Sequence, residues 1–310
     1  MSTESSPKAI IAALLANLGI AATKIIAWVL TGASSMLAEA IHSIADSGNQ
    51  GLLLLGSKRA KRAPTENHPF GFGRERYIYA FIVSIVLFTV GGLFALYEAY
   101  HKYDEVHAGH PNDLLTSRWW WVPLVVLVAA IGMESLSFRT AIVESNHTRG
   151  DASWREFIRN AKAPELPVVL LEDAAALIGL LFALIGVGLT LLTDNGYWDV
   201  AGTAAIGLLL VLVAVVLAVE TKSLLLGESA HEENQDLIES AVLAEQSVLE
   251  ILSLKTVHVG PESILVACKI SVSPTDSAKT VTDTINSAEA RIRAAVPEAI
   301  YIFIEPDILV

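Results

Sequence analysis

Residues 35–50 read SMLAEAIHSIADSGNQ, and this stretch decides how the rest of the chain is understood. It sits inside an apolar run, Ser35–Gly56, long enough to span a bilayer, yet it carries Glu39, His42, Asp46, Asn49 and Gln50. At about 100° per helical residue these five fall on one stripe roughly 100° wide. The other faces are Leu, Ile, Ala and Gly. Ionisable groups at membrane depth are costly, so such a stripe faces a protein interior and marks a functional site by default. His42 and Asp46 lie one turn apart, so an imidazole nitrogen and a carboxylate can converge on one ion. Nitrogen plus oxygen donors suit zinc, ferrous iron, manganese or cobalt. The plainer reading is a polar stripe that only packs helices.

Outward from this stretch, five more runs reach the roughly 20 residues that a span requires. They are Ala9–Leu30, Tyr77–Tyr97, Trp119–Phe138, Leu166–Leu192 and Val200–Val219. The composition agrees. The chain has 310 residues, 53% hydrophobic and 17% charged, against about 25% charged in soluble domains. A net charge of −12 argues against nucleic acid as a partner, and one cysteine excludes an intramolecular disulfide. The start, MSTESSPKAI, reads poorly as a cleavable leader.

Positive charge sets the expected orientation. The loop SKRAKRAPTENHPFGFGRER (57–76) holds six Lys and Arg, and the loop before the fifth span holds Arg149, Arg155, Arg159 and Lys162. HKYDEVHAGHPNDLLTSR (101–118) and TDNGYWD (193–199) are more acidic. Both termini are therefore expected in the cytoplasm, with Trp119, Trp120 and Trp121 as an interfacial belt on the far side.

The composition changes after Leu226. Residues 228–310 hold fourteen Asp and Glu against five Lys and Arg, and contain no span. The pattern there predicts helix Glu232–Ala244, strand Ile251–Val259, strand Ser263–Val272, helix Ala278–Ala295 and strand Ile300–Ile304. Two domains are thus expected: a six-helix membrane domain at 1–226 and a cytoplasmic α+β module at 227–310.

Further candidate residues come from the other spans. Glu172 and Asp173 are neighbours in PVVLLEDAAALIGL and point about 100° apart, so one of them is expected to face the cavity of His42. Asp173 lies about 14 Å from Pro164 and Asp46 about 18 Å from Lys58 at 1.5 Å per residue, which are comparable depths. A site shared by His42, Asp46, Asp173 and, less surely, Glu172 is feasible. Asn17, Glu134 and His68 are accessory candidates. Asn17 is as readily interhelical glue, Glu134 a proton relay or a partner for Lys24, and His68 a loop histidine without a close second ligand. Glu305 and Asp307 form a pair near the end, with a solvated acidic face as the alternative.

SMLAEAIHSIADSGNQ, NHPFGFGRER (67–76) and LLLGESA (224–230) resemble the corresponding segments of cation diffusion facilitator proteins. The resemblance covers nearly the whole chain. HSxxDxxNQ and LLED are similar to the branch of zinc-transporter-9-like and bacterial cation efflux proteins. It implies a mainly α membrane protein of six transmembrane helices, with a ferredoxin-like cytoplasmic domain. It further implies a homodimer in a bacterial inner or plasma membrane that exchanges a divalent metal for protons. No cofactor is expected. The family's second-span pair matches His42 and Asp46. Its fifth-span pair matches Asp173 at the second member, while the first falls on Val169, which cannot ligate. In the loop His68 matches and Phe72 does not. Zinc is the expected cargo, with iron, manganese and cobalt as alternatives. A membrane-embedded metal sensor or scaffold that binds without transport is the rival class; no catalytic constellation supports an enzyme.

Overall fold

The computed structural model describes residues 7–110 and 113–308, with side chains of the first helix described from Asn17 onward. The stretch read against a cleavable leader lies in part outside the described residues. The first long helices are α1 (Pro7–Thr31) and α2 (Ser34–Ala60). The next long helical stretch is built of α3 (Glu75–Val86), a π-helical segment at Leu87–Leu93 and α4 (Phe94–His107). After a single turn, α5 (Asp113–Thr116), come α6 (Val122–Arg149), the short α7 (Trp154–Asn160), α8 (Glu165–Thr193) and α9 (Tyr197–Leu226).

Four of these helical stretches are long and apolar enough to cross a membrane: Glu75–His107, Val122–Arg149, Glu165–Thr193 and Tyr197–Leu226. The described part of α1, Asn17–Thr31, is apolar but shorter. α2 has 27 residues, or about 40 Å at 1.5 Å each. It has the length of a span and the composition of an interior helix, because the polar stripe lowers its hydropathy.

α6 begins three residues later than the apolar run suggests and continues to Arg149. Pro123 explains the start, since proline fits a first helical turn. The three tryptophans therefore lie in the turn ahead of the helix, and Trp120 and Trp121 are exposed.

Small residues set the closest helix approaches. An added methyl at Gly207 of α9 would stand 2.8–2.9 Å from the side chain and backbone nitrogen of Leu96 on α4. The core of this part gathers Met36, Val83, Leu87, Leu127, Leu180, Ile206 and Leu210 from six of the elements above.

A second compact unit holds residues 56–78 together with 221–310. Its C-terminal part runs α10 (Glu232–Leu243), β1 (Glu250–Gly260), β2 (Ser263–Ser271), α11 (Ala278–Ala295) and β3 (Ala299–Asp307). The sheet order is β1-β2-β3, with β1 antiparallel and β3 parallel to β2. Alternation along β2 sends Ile264, Val266, Cys268 and Ile270 to a core shared with Ile238 of α10 and Ile292 of α11. Both helices thus cover one face. Ser277 caps α11 by accepting from the Thr280 N–H. This is the helix–strand–strand–helix–strand order expected from the sequence.

The second unit is not confined to the C-terminal stretch. The loop after α2 packs on the sheet, with Phe70 edge-on to Tyr301 at 5.1 Å and Gly73 against the backbone of Val259 and Gly260. A domain boundary drawn only from the composition change at Leu226 misses this return of the earlier loop.

Candidate metal centre between α2 and α8

The stripe on α2 is buried as its pattern requires. Glu39 and Asn49 are fully buried and His42 is 1% exposed, while Ile44, Leu54 and Leu55 are exposed. Asp46 is partly buried, and its Oδ1 lies 3.4 Å from His42 Nδ1. That approach is not aligned as a hydrogen bond: neither ring nitrogen of His42 nor Asp46 Oδ1 has a hydrogen-bond partner among the described residues. Buried polar atoms are normally paired, so unpartnered nitrogen and oxygen atoms on two adjacent turns are exceptions that call for a functional explanation.

A cavity of about 20 Å³ lies beside them. Asp46, Ser43 and Gln50 of α2 line it with Asn17 and Ile20 of α1, Glu134 and Ser137 of α6, and Asp173 of α8. A space of roughly 10–15 Å³ by this measure holds one water. Asp173 Oδ2 accepts from the Ser137 hydroxyl at 2.9 Å, and Asn17 donates to Gln50 at 3.4 Å.

The adjacent acids of α8 separate as the helical turn demands. Asp173 lines the cavity. Glu172, 4% exposed, turns to Asn49, whose amide donates to Glu172 Oε1 at 2.6 Å. Glu134 and Asn17 both reach the cavity. His68 does not: it is exposed in the loop after α2, 4.6 Å from the Phe72 ring. Among the described residues, no three His, Cys, Asp or Glu side chains are grouped so as to hold a metal ion. Asp46 and Asp173 line one space, and His42 stands one turn from Asp46, outside the lining.

Lys24 pairs with Glu39 rather than Glu134. Its Nζ is 2.9 Å from Glu39 Oε2 and 2.8 Å from Ser43 Oγ. Ser43 and Ser137 escaped the sequence reading, although Ser137 lies three residues from Glu134 on the same helix face. In the C-terminal part, Glu305 and Asp307 are both engaged by Lys269, at 3.3 and 2.8 Å.

Three acids, Asp46, Glu134 and Asp173, thus line one small space within apolar helices, with His42 close to Asp46. Residues 10–226 match the cation efflux transmembrane domain, and the chain belongs to the cation diffusion facilitator family of metal efflux transporters. It is 31% identical over 241 residues to the proton-coupled zinc antiporter SLC30A9, mitochondrial, of Xenopus laevis, a match covering 78% of this chain and 42% of that protein. The chain thus spans less than half the length of that relative. It is 23% identical to the uncharacterized transporter MJ0449 of Methanocaldococcus jannaschii, over 93% of each chain. The solved C-terminal domain of MamM aligns at 16% identity with a TM-score of 0.25, covering 26% of this chain and 100% of that one.

Proposed function

We propose that this chain exports a divalent metal ion, zinc before iron, manganese or cobalt, in exchange for protons, with His42, Asp46 and Asp173 as the transport ligands. The observation that carries the reading is the cavity between α2 and α8, where Asp46 and Asp173 face one ion-sized space beside a histidine with both ring nitrogens unsatisfied. One imidazole and two carboxylates leave a fourth position of a tetrahedral zinc shell for water or for Glu134.

Metal and proton compete for the same atoms, because only neutral imidazole and ionised carboxylate ligate. A site that binds either, and opens to one side at a time, links metal exit to proton entry. Glu172 stays outside the shell, held by Asn49, and α1 and α2 complete six spans with both termini on the Lys/Arg-rich side. The chain works as a homodimer joined through the module at 227–310, with the membrane domain at 1–226.

The test is zinc flux into proteoliposomes. Asp46→Ala and Asp173→Ala are each expected to abolish it while the protein still elutes as a folded species. Zinc bound by the unmodified chain without any flux would favour a membrane-embedded sensor instead.

A further inference from the structure

Asp199 stands at the start of α9, distant in sequence from α2 yet seated on its first turn. The Ser34 backbone N–H donates to Asp199 Oδ2 at 2.8 Å and the Ser34 hydroxyl does so at 3.0 Å. The Ser35 hydroxyl donates to Oδ1 at 2.5 Å and the Ser35 N–H at 3.4 Å. Asp199 is 1% exposed and both serines are fully buried. The Asp199 main chain is itself held: its N–H donates to Thr190 Oγ1 at 3.0 Å, and Thr203 Oγ1, which donates to the Asp199 carbonyl at 2.9 Å, also meets Ser34 Oγ at 2.9 Å.

This carboxylate does from another helix what a capping side chain does within one. It satisfies the first N–H groups of α2 and puts negative charge at the positive end of the helix dipole. α2 is the helix that carries His42 and Asp46. Ser35 precedes His42 by two turns, about 10 Å along a rigid helix, so the cap fixes the height and rotation of both ligands. Just before α2 the chain passes through Gly32 at φ +63°, a conformation that lets α2 leave α1 abruptly.

We infer that Asp199 is a positioning residue for the transport site and the latch of the α1–α2 end of the membrane domain, so that the site opens to that side when the Asp199 carboxylate leaves Ser34 and Ser35. The inference rests on the transport reading above. The bonding supports a latch over a permanent weld. Hydrogen bonds between two helices exchange for bonds to water when the helices part, so their net contribution is a fraction of their gross strength, though larger here because the acceptor is charged. An interdigitated apolar contact has no such exchange.

The chain's one cysteine makes the test direct. Cys268→Ala with Ile20→Cys places a single thiol in the lining of the cavity. A membrane-impermeant maleimide is added to right-side-out and to inverted vesicles. Asp199→Asn is expected to raise the labelling rate several-fold from the α1–α2 side alone, and Ser34→Ala with Ser35→Ala, which keeps the backbone donors, is expected to raise it less. A merely structural cap would lower the melting temperature and leave the sidedness of labelling unchanged, and that result overturns the latch. Should Asp199→Asn fail to fold, the serine pair decides by the same criterion. Zinc flux by the unmodified chain is measured alongside: its absence refutes the transport reading, whereas flux with unchanged labelling refutes the latch alone.

Discussion

Lys24 Nζ of α1 lies 2.9 Å from Glu39 Oε2 of α2, with both side chains at 3% exposure or less. A buried pair of this kind is intolerant of losing one member and tolerant of losing both. Lys24→Met is expected to destabilise the protein by about 3–5 kcal/mol, because Glu39 is left as an uncompensated charge. Lys24→Met with Glu39→Gln is expected to recover most of that loss. Melting temperatures in detergent for the four members of the cycle check this. Additive losses would mean that the pair is not coupled.

The two acids of α8 are expected to differ sharply. Glu172→Gln keeps the acceptor that Asn49 uses, so zinc flux is expected to stay near the unmodified level. Asp173→Asn removes a charged ligand facing the cavity and is expected to stop it. Flux measured at one zinc concentration range for both variants is enough. Loss of flux in Glu172→Gln with survival in Asp173→Asn would exchange their roles.

Cys268 is buried in the module, and that burial, aided by the Glu239 carboxylate, pushes its thiol up from an ordinary value of 9.0 to about 11. Only the thiolate is nucleophilic, so iodoacetamide at pH 7.5 is expected to modify the chain in denaturant and spare it when folded. The linkage has a definite sign. A thiol that holds its proton more tightly when folded gives its full stabilisation below pH 9 and loses it as pH rises toward 11. Denaturant midpoints measured across that window are expected to fall more steeply for the unmodified chain than for Cys268→Ala.

Gly207→Ala would drive a methyl into Leu96, including its backbone nitrogen at 2.9 Å. Overpacking of this sort costs about 1–3 kcal/mol. A lowered melting temperature is expected, with Gly19→Ala, where an added methyl meets nothing within 4 Å and helix propensity favours alanine, as the control that is not lowered.

Most of the helical framework was legible in the sequence because bilayer-length apolar runs have few other uses, and the module was legible because its turns and periodicities are local. The direction faced by His42, Glu39 and Asn49 followed from helical spacing alone. What escaped has a common physical character: it depends on partners far apart in the chain. Asp199 reads as one more acid of a polar turn, and only the fold brings it to Ser34, 165 positions earlier. The choice of Asn49 by Glu172, and of Glu39 by Lys24, is likewise a matter of helix rotation that no single helix specifies. The docking of Phe70 and Gly73 on the sheet leaves no trace in composition, since the loop is as polar and glycine-rich as a free one.

The 20 Å³ beside Asp46 and Asp173 has a kinetic meaning as well as a steric one. In this conformation a water-sized space has no room for an ion together with its full first hydration shell. Magnesium gives up its waters reluctantly. If the site carries metal as proposed, magnesium is expected to be a poor cargo on this ground alone, before any preference of the ligands for softer ions; flux of magnesium and zinc measured side by side checks it.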